Sequence, residues 1–184
     1  MKSRVLGLAT ETVIASGFYL ASFAMVLGVL FPAQRVLVPG LDGYSSLLFL
    51  PHGVRVLTAW LLGWRSVFAL APGAALAHAW LLGDGAFEWP LVGVFLLGIT
   101  VAPLTFTILR SIGWKSASSE HDPVCWRTVL AAGAIASIPN TLVANTLFNA
   151  PSQDYVAYFV GDFFGLLTLM VIMILGLRAW RMTL

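Results

Sequence analysis

Charge is what this sequence has least of: Asp, Glu, Lys and Arg together make up 10% of its 184 residues. A soluble domain carries roughly a quarter. A soluble helical bundle would need polar outer faces that these residues cannot supply. Cysteine is nearly missing as well. Cys125 stands alone, so no intramolecular disulfide or thiol metal cluster can form, and its place beside an expected span end reads as inert. There is no Ser/His/Asp nucleophile set, no zinc-ligand spacing and no phosphate loop. We therefore expect no enzyme activity and no cofactor. A basic patch is lacking too: the net charge of +2 and pI near 9.0 come from Lys and Arg scattered singly at span ends. That pattern excludes a nucleic-acid partner. Low-complexity segments and repeats are also absent, and the one loop with real hydrophilic content runs from Ser111 to Pro123.

What is there is apolar: 59% hydrophobic residues and a mean hydropathy of +0.91. A helical crossing takes about 20 apolar residues. The runs predict spans at 7–31, 45–63, 66–82, 89–110, 127–148 and 156–178. The fold class is all-α, with residues 1–184 forming a single polytopic transmembrane domain of about six helices in a lipid bilayer. Turn chemistry marks the breaks at Val38-Pro39-Gly40-Leu41-Asp42-Gly43, Gly83-Asp84-Gly85 and Asn149-Ala150-Pro151-Ser152. Spans 45–63 and 66–82 are joined so closely that they could instead be a re-entrant or strongly tilted hairpin. Met1-Lys2-Ser3-Arg4 imitates a signal peptide, but the apolar stretch from Leu6 to Phe31 exceeds an h-region of about 7–15 residues. It reads as a retained first span.

Cytoplasmic loops keep positive charge. Lys2, Arg4, Arg65, Arg110, Lys115, Arg127, Arg178 and Arg181 fall on one side, and Arg35 alone on the other. This predicts cytoplasmic N- and C-termini in a bacterial inner membrane. Acidic Asp42, Asp84, Glu88 and Asp154 land outside, and Trp64, Trp80, Trp89, Trp114, Trp126 and Trp180 fall near the interfaces.

Polar groups at membrane depth are costly, usually buried in protein and usually paired. They are Glu11, His52, Arg55, His78 and Asp162, with the amides Asn140 and Asn145. His52 and Arg55 are three residues apart and share a helix face. His52, Asn140 and Asp162 lie at similar depths in three spans, in the outer half, and Ser137, Thr141 and Asn145 repeat every fourth residue. The simplest pairing is Arg55 with Asp162. One reading is a structural ion pair locking two helices, with His52 and the amides serving backbone freed by Pro51 and Pro139. A second is a small polar ligand pocket opening outward, walled by Tyr158, Asn140, His52 and Arg55. A third is a proton pathway through His52 and Asp162, and a fourth, weaker one is bis-histidine haem ligation by His52 and His78. Glu11 is expected to pair with Arg4 or Arg110. Prolines 51, 72, 103 and 139 lie within spans, where each frees a carbonyl. Gly161 and Gly165 permit close helix approach.

Two segments resemble the MASE-type membrane-associated sensor domains of bacteria. One is Leu48-Phe49-Leu50-Pro51-His52-Gly53-Val54-Arg55, followed by Leu61-Leu62-Gly63-Trp64-Arg65; the other is Gly161-Asp162-Phe163-Phe164-Gly165-Leu166-Leu167. The resemblance implies a helical sensor fold and gives weight to Pro51, Gly53, Gly161, Asp162 and Gly165. Family members usually have more spans and carry a diguanylate cyclase or histidine kinase. Here the sequence stops four residues after Trp180, which reads as a stand-alone domain. We expect a sensor-like protein that binds a small polar ligand or a partner helix and couples to another membrane protein. A substrate-binding subunit of a vitamin-type uptake transporter, or a non-catalytic accessory subunit of a membrane complex, would be built from similar parts.

Overall fold

The computed structural model describes residues 2–37, 46–114 and 126–182. The Val38–Gly43 turn, most of the polar loop with Lys115, and Cys125 lie outside the described residues, as do the side chains of Lys2 and Arg4. The described chain is all-helical. Helix α1 (Lys2–Met25) runs through a π-turn (Val26–Leu30) into α2 (Phe31–Leu37), and α3 (Leu50–Leu62) follows after the gap. Then come α4 (Arg65–Leu82), a 3-10 turn (Gly83–Phe87), α5 (Trp89–Ser111), α6 (Trp126–Leu147) and α7 (Ser152–Arg181).

Among the described residues five helical stretches are long and apolar enough to cross a membrane: Gly7–Leu37, Arg65–Phe87, Trp89–Ser111, Trp126–Leu147 and Ser152–Arg181. Their outer faces carry bare apolar side chains such as Val13, Phe18, Phe68, Leu76, Leu142 and Ile172, whereas Ser16, His52, Ser66, Ser137 and Asp162 are buried. The polarity is inverted relative to a soluble protein, as lipid contact requires. The six tryptophans expected at interfaces stand exposed, at or near helix ends.

The first span was expected to end at residue 31, yet the helix continues to Leu37. Pro32 has no N–H and crowds the carbonyl four residues back. The π-turn just before it absorbs the fault, with the Phe31 N–H reaching the Val26 carbonyl.

Pro72 is handled by a neighbour. The Ser16 hydroxyl of α1 donates to the Ala69 carbonyl at 2.8 Å and accepts the Gly73 N–H at 3.0 Å. It is spliced into the α4 ladder beside the proline. A Cβ on Gly73 would lie 2.7 Å from the Ser16 Cα, so only glycine allows this crossing. Ser16→Ala should cost about 1–2 kcal/mol, the worth of a buried hydrogen bond with an orphaned partner. Thermal unfolding in detergent checks this; an unchanged midpoint would mean that α4 closes its own ladder.

The second expected span, 45–63, differs most from expectation. Its helix, α3, has only 13 residues, about 20 Å at 1.5 Å per residue, short of the ~30 Å hydrocarbon. The preceding Ser46–Phe49 stretch is non-helical. Pro51 sits in the first turn of α3 rather than inside a helix, where a missing N–H costs nothing. Non-helical backbone at this depth survives only when protein covers it. The cover here is α7: Phe49 N–H donates to the Gly161 carbonyl at 2.9 Å. A Cβ on Gly161 would strike the Ser46 carbonyl, and one on Gly165 the Phe49 carbonyl. Gly53 of α3 meets the Leu166 Cα in the same seam, at 2.8 Å from where its Cβ would be.

Helix α3 is the hub. It packs against α1, α4, α5, α6 and α7, and every residue from Leu50 to Val56 is buried. The Val56, Ala59, Phe106, Val129, Leu166 and Met170 side chains fill one side of it. Tyr19, Phe23, Val54, Leu70, Ala74 and Ile99 fill the other.

Candidate functional site

His52 and Arg55 lie about 60° apart around the helix axis. On a helix with a single buried face, both would meet the same neighbour. Because the Leu50–Val56 part of α3 is buried on every side, each finds a different one.

His52 turns toward α6 and α7. Its Nε2 lies 3.1 Å from the Gly133 carbonyl, and a carbonyl only accepts, so Nε2 carries a hydrogen. Its Nδ1 lies 3.2 Å from Asp162 Oδ2. That same oxygen accepts the Ser137 hydroxyl at 2.7 Å. Nδ1 makes no hydrogen bond in this geometry; burial of both groups favours one hydrogen held between ring and carboxyl, on Nδ1 as an imidazolium facing a carboxylate or on Oδ2 as an acid turned to a neutral ring. Either arrangement is electrically neutral overall, which suits side chains only 1% and 0% exposed. The α6 stripe continues along the helix from Ser137 through Thr141, 3.5 Å away, to Asn145, whose amide donates to the Thr141 carbonyl. Asn140 is buried on the flank of this stripe; its Nδ2, like Asp162 Oδ1, has no hydrogen-bond partner among the described residues.

Arg55 turns the other way. The expected Arg55–Asp162 ion pair is replaced by His52–Asp162, because His52 stands between α3 and the α6–α7 seam and claims the carboxylate. Arg55 Nη1 instead donates to the Gly98 carbonyl of α5 at 3.2 Å. Its guanidinium sits 5.9 Å from the centre of the Phe49 ring, a cation–π distance, and shares the cavity wall with the Tyr158 phenol. A Cβ on Gly98 would lie 2.7 Å from Nη1, so this glycine makes room for the charge. Among the described residues no carboxylate is in ion-pair range of Arg55.

Beside Arg55 is a cavity of about 110 Å³ between α1, α3, α4, α5 and α7. Tyr19, Phe23, Phe49, Phe95 and Tyr158 form its aromatic walls, and Ala74, Ala77 and Gly98 leave its space. Arg55 and Tyr158, two of the five residues expected to bind a ligand, line it. His52, Asp162 and Asn140 do not; the first two lie across α3 in the closed chain with Ser137. The expected wall of four residues is therefore divided by the helix that carries two of them.

The remaining expected site residues are placed as follows. Pro139 lies inside α6, between Ser137 and Asn140. Gly53, Gly161 and Gly165 form the α3–α7 seam. His78 borders the cavity, with Nε2 3.0 Å from the Ala86 carbonyl; with both histidine Nε2 atoms engaged on backbone, they do not face one another as haem ligands would. Glu11 pairs with Arg65 at 2.8 Å, which ties α1 to the start of α4; the side chain of Arg4, one of its two expected partners, lies outside the described residues. Tyr19, Phe49, Gly98 and Gly133 were missed. A lone tyrosine or glycine in an apolar span carries no local signal, and its role comes only from what crosses it. Among the described residues no group of three or more His, Cys, Asp or Glu is placed to hold a metal ion.

The long apolar helices, the lipid-facing exterior and the buried polar hub are those of a multi-pass membrane protein. Comparison with known protein families, with curated proteins and with solved structures finds no match.

Proposed function

We propose that this chain is a sensor-like domain of the bacterial inner membrane that binds a small ligand beside Arg55 and passes its occupancy to a partner membrane protein. In this reading Ser46–Leu62 forms a sixth crossing, in which the bent Ser46–Phe49 stretch extends the thirteen-residue helix. The termini are then cytoplasmic, in line with the Lys and Arg bias, and the cavity lies in the outer half. The role in this reading is non-catalytic: the cavity is lined by one guanidinium, two phenols, the His78 ring held on the Ala86 carbonyl, and apolar walls.

The observation that carries this reading is Arg55 itself. A charge kept at membrane depth marks function more often than packing, and a structural arginine would have closed on Asp162. The resemblance to MASE-type sensor domains points the same way. The two segments that carry it, around Pro51–Gly53 and Gly161–Gly165, are the ones packed on each other in the α3–α7 seam.

Native mass spectrometry after gentle extraction tests the proposal. A small molecule should accompany the protein, or be taken up from a metabolite mixture, and Arg55→Leu should lose it while remaining monodisperse. Equal retention by Arg55→Leu, or no uptake by the intact protein, would remove the receptor reading. The broken crossing also suits a solute-binding transport subunit. That version requires uptake into vesicles together with a partner, and a ligand that binds without ever being transported would remove it.

A further inference from the structure

We infer that the ligand is a monocarboxylate on a short or single-ring apolar body; this rests on the receptor reading above and specifies its ligand. The starting point is the charge balance of the core. The His52–Asp162 pair is neutral as long as it shares one hydrogen, and it lies on the α6–α7 side. Arg55 is left as a single positive charge, 7% exposed, with no carboxylate in ion-pair range among the described residues. Its neighbours Gly98, Tyr158 and Phe49 offer dipoles and a ring face. They orient the guanidinium without neutralising it. A buried unpaired charge is costly, and one negative charge removes that cost.

The same balance limits the choice of anion. A phosphate dianion would leave one negative charge uncompensated by Arg55, the one Lys or Arg that lines the cavity; the His78 ring donates its Nε2 hydrogen to the Ala86 carbonyl. A neutral polar ligand would leave Arg55 as it is. A carboxylate matches both the charge and the flat fork of guanidinium donors. Shape limits the rest of the molecule. The cavity measures about 110 Å³ and is open on one side; a closed space that admits benzene measures roughly 150 Å³, so a ring enters here only with part of it left at the open side. Aromatic walls at Phe23, Phe49 and Phe95 suit a ring or a short chain, and a long acyl chain would not fit.

The test is equilibrium binding to the full-length protein in nanodiscs, with benzoate, its neutral analogue benzamide, and hexadecanoate. Benzoate should bind saturably, and benzamide at least about tenfold more weakly, a difference of ~1.4 kcal/mol. Arg55→Lys should keep benzoate binding and Arg55→Leu should lose it. Should Arg55→Leu fail to fold, Gly98→Ala takes its place: its new Cβ would displace the guanidinium without removing the charge, and benzoate affinity should fall. Benzamide binding as tightly as benzoate would overturn the carboxylate assignment and leave the receptor reading standing. Hexadecanoate binding with no benzoate binding would overturn the short body. Benzoate binding unchanged in both variants would place the site elsewhere and sink both readings, and no saturable binding of any carboxylate would overturn this inference alone.

Discussion

Gly161→Ala should cost about 3 kcal/mol or more, and Gly165→Ala about as much, although each adds a single methyl group. The new Cβ would meet a backbone carbonyl, that of Ser46 in one case and Phe49 in the other. Overpacking a flexible side chain costs about 1–3 kcal/mol, but a backbone cannot turn aside by changing rotamer. The segment under pressure is the least able to move. Ser46–Phe49 is non-helical and leads straight into the first turn of α3, and the Phe49 N–H depends on the Gly161 carbonyl. Pushing it off α7 would break that bond and tilt the hub on which five helices pack. Gly17 provides the control: its Cβ would meet nothing within 4 Å, and alanine is the better helix former by about 1 kcal/mol. Thermal unfolding in detergent should therefore show Gly161→Ala and Gly165→Ala strongly destabilised and Gly17→Ala unchanged or improved. Three similar midpoints would mean that the close seam is not part of the folded protein.

The second large effect concerns Asp162, where the replacement decides the outcome. Asp162→Leu removes the group that faces His52 Nδ1 and accepts from Ser137, and leaves Nδ1 buried without a partner and the Ser137 hydroxyl with only its long contact to Thr141. Breaking a buried pair in this way costs about 3–5 kcal/mol. Asp162→Asn should be far milder, within ~1 kcal/mol, comparable to one net hydrogen bond. An amide nitrogen in place of Oδ2 can donate one hydrogen to a neutral ring at Nδ1 and the other to the Ser137 oxygen. The Ser137 hydroxyl hydrogen is then free to turn toward Thr141, 3.5 Å away. Unfolding midpoints of the two variants test this directly. Equal damage from both would show that the negative charge itself is needed, in contradiction to a neutral pair sharing one hydrogen.

Several of these features were legible in the sequence. Hydropathy gave the helices, and a depth count along three spans drew attention to His52, Asn140 and Asp162. Chemistry of position also pointed to Arg55 and to the glycines at 161 and 165. What could not be read was direction. The i to i+3 spacing places His52 and Arg55 on one side of an amphipathic helix, but α3 is buried all round from Leu50 to Val56, so a 60° difference leads to opposite neighbours. Whether a helix is peripheral or central depends on its partners, and no periodicity within it records that. The break before α3 was hidden for a related reason. Ser46-Leu47-Leu48-Phe49 is as apolar as the helix it precedes, and hydropathy reports burial without reporting conformation. Only the tight join to the next span raised the suspicion of an irregular crossing. Ser16 shows the limit most plainly: an ordinary serine in α1 is explained by a proline in α4, 56 positions away.

The central claim is that α3 divides the core into a sealed polar chain on its α6–α7 side and a cavity governed by Arg55 on the other. Cysteine accessibility in intact membranes tests this most directly. In a Cys125→Ser background, Ala77→Cys places a thiol on the cavity wall and Ala136→Cys places one in buried α6. Both are treated with water-soluble methanethiosulfonates, one carrying a sulfonate and one a quaternary ammonium. The account predicts that the thiol at position 77 reacts, faster with the anionic reagent, and that this preference disappears in Arg55→Leu, while the thiol at 136 stays unmodified. A thiol at 77 that resists both reagents, or one that reacts no faster with the anion than with the cation, would contradict it.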